Sequence, residues 1–210
     1  MSRSFTRAEP DARRQSLIEA AGRVLAERGA AGASVRVICA EAGVSPGLLR
    51  HYFDGIDALI AETYAWTGGQ VSEALARAAA EAGSDPRARL LAYVTASFRA
   101  PIADPQLLAT WIAFWSLVKA NPDMERLHGE IYAGYRGEVE ALLAECGLAA
   151  GEVRLAAVGI TALVDGLWLE LCLAPATFTP EEASGIAGRW IGTLLNPPPE
   201  GEGDREAVEG

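Results

Sequence analysis

The chain has 210 residues, half of them hydrophobic, and a formal net charge of −10. This composition allows a substantial hydrophobic core and excludes a wholly disordered chain. Because Ala and Leu dominate and long stretches contain no proline, we expect an all-α protein.

No targeting segment or metal motif stands out in the sequence. The N-terminal arginines are not followed by an apolar segment, so no signal peptide is expected. The three cysteines are isolated and lack the spacing of a metal or redox site. The most apolar segment, residues 156–174, contains Asp165 and Glu170 and therefore indicates a buried helix that does not span a membrane. We expect a cytoplasmic protein without a membrane segment, cofactor or metal.

The charge is distributed unevenly along the chain. Residues 1–50 contain eight arginines and five acidic residues, whereas the remainder contains ten Lys or Arg and 23 acidic residues. A basic N-terminal part can bind phosphates, while an acidic body limits non-specific association with nucleic acid. The asymmetry predicts two functional regions.

The N-terminal residues have the pattern of a helix-turn-helix unit. A first helix is predicted over residues 11–28. Ser34 is a good N-cap for a short second helix at 35–42, and Ser45 caps a third helix with Pro46 at its first position. Two helices joined by a Gly-bearing turn within about 20 residues are typical of this motif.

A larger helical body follows the N-terminal unit. It begins with a long helix over residues 57–82, and Pro and Gly positions then separate further segments. Those segments predict helices at 86–100, 105–120, 123–146, 151–174 and 180–195. The predicted domains are 1–56 and 57–196, followed by a disordered acidic tail at 197–210.

Three segments resemble a known protein family. TetR-type transcriptional regulators have a DNA-binding motif similar to residues 34–62, SVRVICAEAGVSPGLLRHYFDGIDALIAE. The choline-responsive, BetI-like branch of that family has helices similar to TWIAFW (110–115) and ALVDGLWLELCL (162–173). The resemblance implies an N-terminal three-helix DNA-binding domain and a larger C-terminal helical domain for ligand binding and dimerisation.

The resemblance also assigns a role to the short third helix. Leu49, Tyr52 and Phe53 would pack against Ile38, and the opposite face would contact DNA. Arg50 can bind guanine or a phosphate. The predicted DNA-binding residues are Ser34, Arg36, Ser45, Pro46, Gly47, Leu48, Arg50, His51 and Tyr52.

Two positions depart from the family pattern. Arg50 stands where TetR-type proteins usually have an aromatic residue, and Ile56 stands where they commonly have Lys. Losing that cation would remove one phosphate contact, so a helical protein-interaction module that has lost DNA binding is kept as an alternative. Arg13 and Arg14 leave two interpretations open, a phosphate contact or a solvated helix face.

The body carries aromatic residues that could form an effector site. Aromatic faces with a nearby carboxylate bind cations such as quaternary ammonium groups, and the alternative is an ordinary aromatic core. His128 is expected at the surface. The predicted effector-binding residues are Trp66, Trp111, Phe114, Trp115, Tyr132, Asp165 and Trp168, and the effector would be choline-like or another cationic or aromatic compound.

The last two predicted helices are expected to form a homodimer interface as a four-helix bundle, because their glycines permit close packing. Two DNA-binding units would then bind the halves of a near-palindromic, double-stranded DNA operator. The leading hypothesis is a homodimeric repressor released from DNA by a small molecule. An enzyme is disfavoured, because the sequence has no phosphate-binding Gly-rich loop, metal-ligand cluster or G-x-S-x-G motif.

Overall fold

The computed structural model describes the backbone of residues 8–196 and the side chains of residues 11–196, and all regular structure in this range is helical. The all-α prediction is therefore confirmed, and the predicted tail at 197–210 lies outside the described residues. The helices are α1 (Ala8–Gly32), α2 (Val35–Glu41), α3 (Pro46–Tyr52), α4 (Ile56–Glu81), α5 (Pro86–Ala96), α6 (Pro105–Val118), α7 (Pro122–Glu145), α8 (Ala150–Leu173) and α9 (Pro180–Leu195).

The turns between the first helices are set by local sequence. The hydroxyls of Ser34 and Ser45 accept hydrogen bonds from the backbone N–H groups of Val37 and Leu48, each at 3.3 Å, and so cap α2 and α3. Gly43 joins these helices with a φ of 66°, which a glycine adopts readily. The helix-turn-helix prediction agrees with this geometry.

Helix α5 is shorter than predicted. It ends at Ala96, after which the N–H groups of Ser97, Phe98 and Arg99 bond to carbonyls three residues earlier, at 3.0–3.2 Å. Pro101 prevents the helix from continuing, since a proline has no N–H to bond to the Ser97 carbonyl and disfavours helical geometry at Ala100. The carbonyl of Ser97 is thereby left available to another partner.

The first buried cluster, here called the head cluster, joins α1, α2, α3 and the first turn of α4. Leu49 and Phe53 are almost fully buried in it, as the sequence pattern predicts. Because a seven-residue helix is not stable alone in water, α3 depends on this packing. The buried members are Leu17, Ile18, Ala20, Ala21, Val24, Ile38, Cys39, Leu49, Phe53 and Leu59.

The second buried cluster, here called the body cluster, is built mainly from α4 to α9. Ile56 packs against both clusters at the start of α4. The head also contacts the body through α6, where the hydroxyl of Thr110 donates to the carbonyl of Gly22 in α1 at 3.2 Å. The head is therefore held to the body by two helices, α4 and α6.

Helix α8 has one buried and one exposed apolar face. By length and composition alone it could cross a membrane, but a core helix passes the same test, and Ala157, Ile160 and Trp168 are buried in the body cluster. The opposite face, with Trp190 of α9, forms an exposed apolar surface here called the α8 stripe. Its members are Leu155, Val158, Leu169, Leu173 and Trp190.

Candidate functional site

Helices α2 and α3 present one exposed face of the head, which contains the predicted DNA-binding residues. Arg36, Arg50 and His51 are exposed, and their side chains make no salt bridge or hydrogen bond within residues 11–196. Of the other predicted DNA-binding residues, Ser34, Ser45, Pro46 and Gly47 are exposed, and Leu48 and Tyr52 are partly buried. This face can therefore present two guanidinium groups and an imidazole to a phosphate or a base edge.

Arg14 has a structural partner on the head. Its guanidinium lies 2.5 Å from a carboxylate oxygen of Glu62 and 5.2 Å from the ring centre of Phe53. These contacts hold α1 against the start of α4 and the end of α3. Arg13 is exposed.

The body contains a cavity of about 260 Å³ between α4, α5, α6, α7 and α8. Aromatic and small apolar side chains form most of its wall, and its charged side chains are the two acids Glu130 and Asp165. The lining residues are Gly68, Gly69, Val71, Ser72, Leu75, Tyr93, Ser97, Trp111, Glu130, Ile131, Tyr132, Gly134, Tyr135, Thr161, Val164, Asp165 and Trp168.

Asp165 belongs to a hydrogen-bonded group in this wall. The hydroxyl of Tyr132 donates to Oδ1 of Asp165 at 3.1 Å. The same hydroxyl accepts from Nε1 of Trp111 at 3.3 Å and from Nε1 of Trp115 at 3.0 Å. Two indoles thus fix the tyrosine that orients the carboxylate.

Burial perturbs the ionisation of Asp165. It raises the pKa of this carboxyl to about 6, although the Tyr132 hydrogen bond and the positive charge of Arg136 act in the opposite direction. Burial makes the ionised carboxylate unfavourable, so a cation beside it would stabilise it strongly.

Two indole rings line the same cavity as this carboxylate. Trp111 and Trp168 meet edge to face with ring centres 5.6 Å apart. Nε1 of Trp168 donates to the Ser97 carbonyl at 2.8 Å, which is the carbonyl left available where α5 ends. Both tryptophans line the cavity, and indole rings are the side chains that bind cations best through cation–π contact.

Three predicted effector residues do not line this cavity. Trp66 lies across α4 from the lining residues Gly68 and Leu75 and is 37% exposed. Phe114 is fully buried and stacks on Tyr64 at 4.4 Å. Trp115 only supports the wall, through its bond to the Tyr132 hydroxyl.

The surface prediction for His128 is wrong. The residue is half-buried, its Nδ1 lies 2.9 Å from the hydroxyl of Tyr64, and its ring centre is 4.2 Å from that of Tyr132. Burial, followed by the charges of Arg136 and Lys119, lowers the pKa of His128. Tyr93, Ser97 and Thr161 also line the cavity, although no motif in the sequence marks them.

Comparison with known proteins identifies the family. A model of the TetR family of bacterial regulatory proteins matches residues 17–63, and a model of the C-terminal part of BetI-type transcriptional repressors matches residues 86–196. The chain belongs to the BetI-type branch of the TetR family. The resemblance drawn from the sequence is thereby confirmed, and the chain is a DNA-binding transcriptional regulator.

Similar BetI-type proteins cover almost the same length. The HTH-type transcriptional regulator BetI of Burkholderia thailandensis is 35% identical over 88% of this chain and 94% of its own length. BetI of Stenotrophomonas maltophilia is 32% identical, over 85% and 91% respectively.

Solved structures extend the similarity to three dimensions. A transcriptional regulator from Pseudomonas aeruginosa PAO1 has a TM-score of 0.82 and 45% identity, covering 92% of this chain and 95% of that one. A regulator from Saccharomonospora viridis, solved in complex with choline, has a TM-score of 0.76 at 18% identity, covering 87% and 96%. At that identity the second comparison supports the TetR fold alone.

Proposed function

We propose that this BetI-type protein is a homodimeric repressor that a small cationic effector releases from its operator. The observation that carries this proposal is the cavity in which a partly buried carboxylate, Asp165, bonds to Tyr132 and shares the wall with Trp111 and Trp168. A choline-like quaternary ammonium ion fits this chemistry, since it gains cation–π attraction and a counter-charge together. The choline complex of the S. viridis regulator agrees with this ligand class.

The proposed DNA-binding domain is residues 1–56, with residues 57–196 as the effector-binding and dimerisation domain. Arg36, Arg50 and His51 supply donors on the exposed face of α2 and α3, and Gly47 allows close approach of the backbone to DNA. Ile56 packs against both clusters, which accounts for an apolar side chain where the family commonly has Lys.

The proposed dimer forms through α8 and α9. The α8 stripe exposes four large apolar side chains of one helix together with Trp190, and exposed apolar side chains on one helix face favour burial against a second copy. Pairing of α8 and α9 from two chains would make a four-helix bundle. The two DNA-binding units of the dimer would then bind the two halves of a near-palindromic operator. In this proposal the protein is cytoplasmic, has no membrane segment and catalyses no reaction.

Helices α4 and α6 provide the proposed route from effector to DNA. Both line the cavity, and α4 begins directly after α3 while α6 bonds to α1 through Thr110. A ligand that favours one arrangement of these helices shifts the population of head positions, and with it the affinity for DNA.

Fluorescence anisotropy with DNA from upstream of the chain's own gene tests the proposal. Tight binding is expected without ligand, and added choline should release the DNA. Arg50→Ala should weaken binding, whereas Arg77→Ala, which removes an exposed cation from the body, should not. A folded dimer that fails to bind at low salt would favour the protein-interaction alternative, and DNA binding unaffected by any small cation would refute the effector class.

A further inference from the structure

Two tyrosine hydroxyls in the cavity wall lack a hydrogen-bond partner within residues 11–196. They belong to Tyr93 of α5 and Tyr135 of α7, whose ring centres lie 5.6 Å apart, and both oxygens are buried. The Ser97 side chain is near enough to oppose the effect of burial on the pKa of Tyr135, but the hydroxyl does not reach hydrogen-bond geometry. Buried, unpaired hydroxyls are unfavourable and uncommon. Phenylalanine would pack in the same way without this penalty, so the two hydroxyls require an explanation.

The other buried tyrosines provide the contrast. The Tyr132 hydroxyl makes three hydrogen bonds, and the Tyr64 hydroxyl lies 2.9 Å from His128. The two unpaired hydroxyls therefore occur together, on the α5 and α7 side of the wall. They are not scattered through the core.

We propose that Tyr93 and Tyr135 form a second subsite that donates hydrogen bonds to a neutral oxygen of the effector. The inference rests on the cationic effector proposed above and extends it. The effector then has two parts, a cation held by Asp165 and the indoles, and a hydroxyl, ether or carbonyl oxygen held by the two tyrosines.

Charge selects a neutral oxygen over a carboxylate. The charged side chains lining the cavity, among the described residues, are Glu130 and Asp165, and both are acidic. Glu130 is exposed and paired with Arg126 at 2.9 Å, so the repulsion of a ligand carboxylate would come mainly from Asp165, whereas an uncharged oxygen would not be repelled. Burial raises the pKa of both tyrosines, which keeps their hydroxyls protonated and able to donate.

Rotation of the tyrosine side chains is part of this subsite. Both hydroxyl oxygens are covered in the structure, so each side chain must change its χ1 rotamer to bring its oxygen to a ligand. The cavity beside the two rings has a volume of about 260 Å³.

Isothermal titration of the full chain with two probes tests the subsite. Choline carries a cation and a hydroxyl, while ethyltrimethylammonium has nearly the same shape without the oxygen. We expect the wild-type chain to bind choline about tenfold or more tightly than ethyltrimethylammonium, since a site built to pair an oxygen discriminates against its absence. In Y93F/Y135F the two affinities should converge to within about twofold, and that for ethyltrimethylammonium should stay near its wild-type value.

The outcomes separate this subsite from the cation site. Equal binding of both probes by the wild-type chain, or retained discrimination in Y93F/Y135F, would overturn the subsite and leave the cationic effector standing. Binding of neither probe would overturn both. Thermal melting adds a readout without ligand: the Phe variants should melt at or above the wild-type temperature, whereas a lower midpoint would indicate that the hydroxyls already have a partner, such as water, and would count against the proposal.

Discussion

Replacing Asp165 with Asn should make the protein more stable and abolish its response to a cation. The substitution removes the charge of a buried carboxyl but keeps an oxygen that can accept from Tyr132. In the wild-type chain at neutral pH, the ionised carboxylate is held in surroundings that disfavour it, as its pKa of about 6 against an ordinary 3.8 indicates. A bound cation relieves that penalty, and Asn has no penalty to relieve.

The magnitude follows from the same pKa difference. At about 1.4 kcal/mol for each pKa unit, a rise from 3.8 to about 6 makes ionised Asp165 unfavourable by about 3 kcal/mol. Because the pKa is raised in the folded protein, the penalty is absent below pH 3.8, where Asp165 is protonated in both states, and it reaches its full size as the pH rises to about 6. The stability of D165N relative to wild type should therefore increase across that interval and remain constant above it.

Thermal and urea unfolding at several pH values measure this difference. At pH 7.5 we expect D165N to be more stable by up to about 3 kcal/mol, with a midpoint rise of about 2–4 °C for each kcal/mol. Choline at about 100 times its dissociation constant should stabilise wild type by about 2.7 kcal/mol and D165N by much less. D123N is the matched control, because the Asp123 side chain is 83% exposed on α7. The reasoning would be refuted if D165N melted like wild type at pH 7.5 and retained the full choline shift.

Three further substitutions test other parts of the structure. Arg50→Ala should weaken specific operator binding by about 1–3 kcal/mol in anisotropy titrations, because Arg50 is exposed on the proposed DNA face; unchanged affinity would remove it from that face. Leu173→Glu should shift the chain toward monomer in sedimentation equilibrium, since Leu173 is 68% exposed on the α8 stripe, and a persistent dimer would place the interface elsewhere. Gly43→Ala should lower the free energy of unfolding by about 1–2 kcal/mol, because the residue has a φ of 66°. Gly129→Ala is the control and should not destabilise the protein, since Gly129 lies in the regular helix α7 and is exposed. Equal effects of the two substitutions on urea unfolding would argue against backbone strain at Gly43.

Local rules account for the parts of the fold that the sequence predicts well. Ser34 and Ser45 are caps that act within three residues, and Gly43 marks a turn on its own, so the starts of α2 and α3 and the turn between them follow from neighbours along the chain. Leu49 and Phe53 lie on one side of α3, and their burial follows from helical spacing. Two helix lengths differ clearly from the prediction: α1 covers Ala8–Gly32, past a non-helical Gly29, where the pattern predicts 11–28, and α5 ends at Ala96, before Pro101.

The cavity was harder to predict because it depends on contacts between distant helices. Trp111 and Asp165 share a wall only after α6 and α8 have packed against α7, and no sequence spacing encodes that arrangement. Aromatic character alone also predicts Trp66, which faces away from the cavity. His128 looks isolated in sequence, yet it meets Tyr64 from a helix 64 residues away.

The hydrogen bond between Thr110 and the carbonyl of Gly22 has a consequence for protein engineering. A chimera that grafts this head onto another regulator's body cannot simply be cut and rejoined before α4, because α1 also rests on α6. The contacting faces of α1 and α6 must be transferred together, or the side chains of the new body must be made complementary to α1. It is therefore safer to change the ligand specificity by altering the cavity wall and to leave the contact between α1 and α6 intact.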